Sequence, residues 1–340
     1  MRNKFIIFSG SFIIFLAVFF YFFLISRVSA TSVEQILFKQ EVAAKAGSKL
    51  ISVFIENLSF QISIFATRPS IVSPNPQDTP KALKALVEGM DETPMTGAIL
   101  TDSQGIVLYG FEKPGPMAGG EDVFDREYFK WAKTAKEGDK YIGAPVISRL
   151  GFSKGQYIVP LAAPVIKEGK FNSVLVTAFF VDELRAQYLD ELKISGNTRI
   201  YMIDKEGIVI SSPTEKLLGL NYFDYTKDLN IDREALRSAL ASDTAGTIDI
   251  YLPDETKNGT LTRFLIGYVP IVVGGSRWLL AIATPASDAL ASLNPLYFRD
   301  LGIIGLVALV SIVIAFYLEK MLEILGKGSK VVKDKADLKP

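Results

Sequence analysis

The chain has 340 residues, 49% of them hydrophobic, with 37 basic and 37 acidic side chains and neither histidine nor cysteine. Balanced charge removes a global basic field for nucleic acid, and the apolar share is too high for a disordered chain. Without imidazole or thiol there is no Ser-His-Asp triad, no thiol nucleophile, no His- or thiolate-ligated zinc and no phosphoacceptor histidine, so only carboxylate, Lys, Tyr and hydroxyl chemistry stays open.

In chain order, the first element is a run of 22 uncharged residues from Phe5 to Ser26. As a helix at 1.5 Å per residue it reaches roughly 33 Å, enough to cross a hydrocarbon core. Val28-Ser29-Ala30 has the form of a signal cleavage site. The run nevertheless exceeds the ~7–15 residues of a signal core, so an uncleaved anchor is expected. Residues 31–67 contain no proline, and Val33, Ile36, Leu37, Leu50, Phe54, Leu58 and Ile62 fall near i, i+3, i+4 spacing. This predicts a stalk helix over residues 31–68, roughly 50 Å long. Pro69, Pro74, Pro76 and Pro80 then break the pattern.

Strand patterns follow. Residues 97–109 read as two apolar runs around the turn Asp102-Ser103-Gln104-Gly105, and residues 201–210 repeat this around Asp204-Lys205-Glu206-Gly207. Asp bonds its own backbone two residues on, and Gly supplies positive φ, which is hairpin chemistry. A second echo relates residues 158–166 to 264–272, each followed by another apolar strand, 173–180 and 277–284. Two echoes in the same order at nearly the same offset indicate an internal duplication.

Leu301 to Leu318 forms a second uncharged run of 18 residues, near the lower limit for a span. Arg2 and Lys4 precede the first run, and Lys320, Lys327, Lys330, Lys333, Lys335 and Lys339 follow the second. The positive-inside rule then places both termini in the cytoplasm and residues 31–297 outside an inner (plasma) membrane. The expected organisation is α+β. It comprises an N-terminus and first transmembrane helix (1–30), the stalk (31–68), a first module (69–190), a second module (191–292), a second transmembrane helix (293–318) and a Lys-rich tail (319–340). The 22 residues after Leu318 leave no room for an output domain. A separate signalling partner, a ligand-binding accessory, a split-gene remnant and truncation all remain open.

These features together resemble the double-Cache family of extracytoplasmic sensors. The resemblance rests on Asp102-Ser103-Gln104-Gly105, Asp125-Arg126-Glu127-Tyr128-Phe129, Tyr141-Ile142-Gly143-Ala144-Pro145-Val146, Ala163-Pro164-Val165 and Asp204-Lys205-Glu206-Gly207. It covers about residues 32 to 292. It implies two tandem PAS-like antiparallel-sheet modules, the first (69–190) membrane-distal and binding the small ligand, the second (191–292) membrane-proximal and passing the change to the second span.

The candidate ligand residues are Arg126, Tyr128, Phe129, Tyr141, Arg149 and Tyr157. A guanidinium among aromatic walls suits a small organic anion, because its rigid fork pairs a carboxylate with two hydrogen bonds. The structural alternative is that Arg126 clamps backbone carbonyls while Tyr128, Phe129 and Trp131 form core. An amino-acid-binding branch of the family places an Asp where this chain has about Ala178, so a ligand without an ammonium group is favoured. No cofactor, metal or catalytic residue is expected; Asp102, Asp125 and Asp204 occupy turn or cap positions that account for them structurally. A homodimer through the stalk is expected, since a long amphipathic helix beside one domain often keeps a second stripe. A scaffold using the modules for protein–protein contacts is the alternative function.

Overall fold

Residues before the first proline cluster form one helix, α1 (Arg2–Ala66), in the computed structural model, which describes residues 2–254, 259–273, 276–291, 299, 301–314, 316, 317, 320 and 321. The described chain divides into two compact units, residues 36–289 and the remainder. In the latter, Phe15, Phe19 and Phe23 stack along one face of α1 with ring centroids 6.5 Å apart and stay about half exposed. By length and composition α1 is the one helix among the described residues able to cross a membrane; a second apolar helix, α9 (Leu301–Ile314), is shorter. The sequence extends that run to Leu318, but residues 315 and 318, and nearly all of the Lys-rich tail, lie outside the described residues.

In the larger unit α1 ends at Ala66, and Pro69 opens a short helix α2 (Pro69–Val72), followed by α3 (Thr79–Glu88). Proline at the first helical position costs no hydrogen bond. The first sheet contains β1 (Met95–Thr101), β2 (Val107–Glu112), β3 (Gly115–Met117), β4 (Tyr141–Ile142), β5 (Val146–Ile147), β6 (Tyr157–Lys167) and β7 (Lys170–Phe180). The helix α4 (Glu127–Ala132) lies between β3 and β4 in sequence, and α5 (Val181–Tyr188) follows β7. The second sheet contains β8 (Arg199–Asp204), β9 (Val209–Ser211), β10 (Gly246–Asp254), β11 (Thr260–Val273) and β12 (Ser276–Pro285), with α6 (Tyr222–Tyr225) and α7 (Arg233–Ala241) between β9 and β10 and α8 (Ala286–Leu290) at the end.

The duplication expected from the sequence is visible in the topology. The first sheet runs β3-β2-β1-β7-β6-β4, with β5 also on β6, and the second runs β10-β11-β12-β8-β9. Read in opposite directions, β2-β1-β7-β6 and β9-β8-β12-β11 are the same path, antiparallel throughout. The turns match atom for atom. The Asp102 carboxylate accepts the N–H groups of Gln104 and Ile106 at 2.8 and 2.9 Å, and Asp204 accepts those of Glu206 and Ile208 at 3.0 and 2.8 Å. Gly105 and Gly207 take φ values of +97° and +88°, a region that side chains disfavour.

Strand alternation sends one face of each sheet toward the stalk. Leu100, Leu161, Leu175 and Phe179 of the first sheet and Met202, Val269, Leu280 and Ile282 of the second join Ile51, Ile55, Leu58 and Ile62 of α1 in a single core. Each fully buried aliphatic or Phe side chain there contributes about 1.5–3 kcal/mol. Phe54 packs edge-on against Phe179 at 5.3 Å. The expected stripe is corrected at one place: Leu50 is 44% exposed, and Ile51 is buried in its stead. A spacing of four residues drifts around a 3.6-residue helix, so the inward row must step back by three.

Candidate functional site

The face of the first sheet turned away from the stalk carries a pocket of about 540 Å³, its open mouth included. Gly97 and Ile99 of β1, Pro160 of β6, and Val176 and Ala178 of β7 form its floor; Ser148, Leu150 and Ser153 form a wall. That wall is held by a 2.8 Å hydrogen bond between the Ser148 and Ser153 hydroxyls. Three of the six residues singled out from sequence line the pocket: Arg126, Tyr128 and Arg149.

Their roles differ. Arg126 stands in extended conformation immediately before α4, and its Nη2 donates to the Ile147 carbonyl at 3.2 Å. That contact is part of the clamp expected as the structural alternative, yet it uses one donor of five. Among the described residues no carboxylate pairs with Arg126. Arg149 is engaged by both Asp125 oxygens, at 3.0 and 2.5 Å, and this hydrogen-bonded pair holds the Asp125 carboxyl below its ordinary range. Tyr128 is 6% exposed. Burial pushes its phenol up to about 12, against the opposing pull of Arg126 and Arg149, so it remains a neutral donor throughout physiological pH. Among the described residues its hydroxyl has no hydrogen-bond partner.

The other three lie elsewhere. Phe129 is fully buried, its ring edge-on to Phe171 at 5.8 Å and under the Lys133 ammonium at 4.8 Å. Tyr141 leans on Trp131 at 5.4 Å. Tyr157 donates its hydroxyl to the Leu218 carbonyl at 3.1 Å, a tie from the first sheet to the loop after β9.

Glu112 is the charged lining residue that sequence reasoning missed. It ends β2, opposite Gly97, and its carboxylate accepts the Phe152 N–H at 3.1 and 3.2 Å. Burial raises its pKa; the Phe152 N–H opposes this and Glu121 adds to it. Counting along the hairpin from the Asp102–Gly105 turn would have placed Phe111 opposite Gly97; a β-bulge between Leu100 and Thr101 shifts the register by one and brings Glu112 there instead, which no sequence spacing records. Ala178, where the amino-acid-binding branch has Asp, does line the pocket, and Glu112 brings a carboxylate to the same cavity from another strand. Among the described residues no cluster of three or more acidic side chains is gathered as a metal ion would need.

The sequence model of the Cache domain matches residues 27–293. The chain belongs to the Cache domain family. No curated protein matches it in sequence. Among solved structures, a domain of a sensory box/GGDEF family protein from Vibrio parahaemolyticus superposes with a TM-score of 0.58 at 15% identity, covering 77% of this chain and 98% of that one. The ligand-binding domain of the chemoreceptor CtaA of Pseudomonas fluorescens, in complex with L-isoleucine, gives 0.55 at 16% identity, covering 76% and 96%. The periplasmic sensory domain of the Campylobacter jejuni chemoreceptor Tlp1 gives 0.51 at 13% identity, covering 78% and 93%. At these identities the likeness is one of fold: two sheets on a long helix are what this Cache chain shares with them.

Proposed function

We propose that the Cache unit is a non-catalytic extracytoplasmic sensor whose first-sheet pocket takes a small organic carboxylate. The observation that supports this most is the pairing, in one pocket, of a guanidinium with no carboxylate partner and a buried phenol with no hydrogen-bond partner among the described residues. A carboxylate ligand would complete both, each charge-assisted hydrogen bond contributing about 1.5–3 kcal/mol. Glu112 favours a second reading within this class, a carboxylate that also bears an ammonium group. The chemoreceptor domain solved with L-isoleucine is a structural neighbour with such a ligand.

In this reading α1 anchors the chain through its uncharged N-terminal portion, residues 31–297 lie outside, both termini lie in the cytoplasm, and a second span follows the second sheet. Ligand closure shifts the packed helices by an ångström or two, and a signalling partner, on this or another polypeptide, reads the shift. Two copies pair along α1. Phe38, Val42, Val53, Phe60 and Ile64 are each at least 40% exposed and, at 100° per residue, fall opposite the buried row.

Thermal melts of the full chain in lipid nanodiscs, against carboxylates with and without an amine, test the pocket. A ligand at 100 times its dissociation constant should add about 2.7 kcal/mol of stability. Arg126→Ala should lose that gain while keeping the wild-type circular dichroism spectrum. An undiminished gain in Arg126→Ala would remove the carboxylate reading, and an unfolded Arg126→Ala would return Arg126 to the role of clamp.

A further inference from the structure

The repeat brings a second pocket to the equivalent place on the second sheet, with different chemistry. Aligning the two Asp turns sets Ile99 against Tyr201, and the strand registers then set Val176 against Ala281, Ala178 against Ala283 and Pro160 against Ile266. The first members of those pairs line the pocket of the first sheet, and the second members line a cavity of about 630 Å³, its opening included. It lies between the sheet and the helices α6 and α7. Its wall contains no charged residue. Arg199, which the same alignment places at Gly97, is not in that wall: its side chain is buried, pairs with Asp254 at 2.5 Å and covers the Phe264 ring at 5.0 Å.

We propose that this cavity is a second ligand site, for a small uncharged aromatic molecule of the indole or cresol class. Tyr201, Tyr222, Phe223 and Tyr268 supply ring faces and edges for offset or edge-on stacking. Leu236 and Ala239 of α7 close the cavity with aliphatic surface, which rewards apolar area and penalises an unpaired charge. The cavity surface is almost wholly apolar, so it suits a ligand that is mostly ring. The site is also placed to matter. Leu279, Ala281 and Ala283 of β12 face the cavity, while Leu280 and Ile282 between them pack on the stalk core.

The test uses 5-fluoroindole and ¹⁹F NMR on the full chain in nanodiscs, with empty nanodiscs subtracting partition into lipid. Saturable binding displaced by indole and p-cresol, and not by benzoate, is expected. Ala281→Leu and Ala239→Leu, which fill the cavity from the sheet and from the helix, should each weaken it by about tenfold or more. The probe is uncharged and its readout does not involve Arg126 or the first-sheet pocket, so failure of the carboxylate reading does not touch this one. Absence of saturable binding above empty nanodiscs overturns the proposal, as does equal displacement by benzoate or wild-type affinity in the folded filling variants.

Discussion

At Tyr128 burial fixes the protonation state of one side chain in the first pocket. A phenol pushed up to about 12 cannot answer to pH in the physiological range, so the carboxyl that titrates within the lining itself is Glu112. Its pKa is raised by burial. A carboxyl protonated more readily when folded than when unfolded contributes stability below its unfolded pKa and loses it as pH rises through the folded one. The ligand-free melting temperature should therefore fall over that window, and Glu112→Gln should flatten the decline. Ligand affinity carries a second sign. For a carboxylate without an amine, binding should weaken as Glu112 ionises; for an amine-bearing carboxylate it should strengthen. Titration calorimetry across the carboxylate pH range on wild type and Glu112→Gln reads both, and identical pH profiles for the two proteins would acquit Glu112 of any part.

Among the elements, α1 carries the most packing. It approaches the second sheet so closely that a Cβ at Gly267 would strike the Gln40 backbone, and the Gln40 side chain accepts the Gly267 N–H at 3.4 Å. Gly47 sits against Leu189, Leu192 and Leu280 in the same way, with a Cβ there reaching their side chains at 2.9–3.0 Å. The two glycines are not equal. The neighbours of Gly47 are flexible side-chain ends, whereas those of Gly267 are helix backbone. Gly267→Ala should accordingly cost about 1–3 kcal/mol through overpacking, seen as a lower urea midpoint. An unchanged midpoint would mean that the stalk is free to lift from the second sheet.

For the molecule as a whole, the absence of cysteine becomes a practical advantage. A single cysteine introduced on the exposed stripe of α1 has no thiol competitor in the chain. Val53→Cys in membranes should cross-link to a covalent dimer under mild oxidation if two copies meet along that stripe. Ser52→Cys, about 100° around the helix, should cross-link far less. Equal yields at the two positions, or none at either, would count against the stalk as the dimer seam.

The sequence by itself determined what depends on local order. Periodicity in 31–67 specified the stalk, proline chemistry its end, and the Asp-x-x-Gly turns with their apolar flanks both hairpins, because helix spacing, turn dihedrals and strand alternation are set within a few residues. The repeat of those signals specified the duplication. Tertiary structure decided what depends on distance. Leu50 against Ile51 was chosen by which side of α1 meets the sheets. Among the candidate residues, Arg126, Tyr128 and Arg149 were brought to one pocket, while Phe129 went to the core and Tyr157 to the neighbouring loop, since strand pairing brings together residues far apart in the chain. Glu112 became part of the pocket only because β2 lies beside β1. The second cavity was invisible in the sequence for the same reason: its lining is assembled from four strands and two helices, and no spacing along the chain records that they share a face.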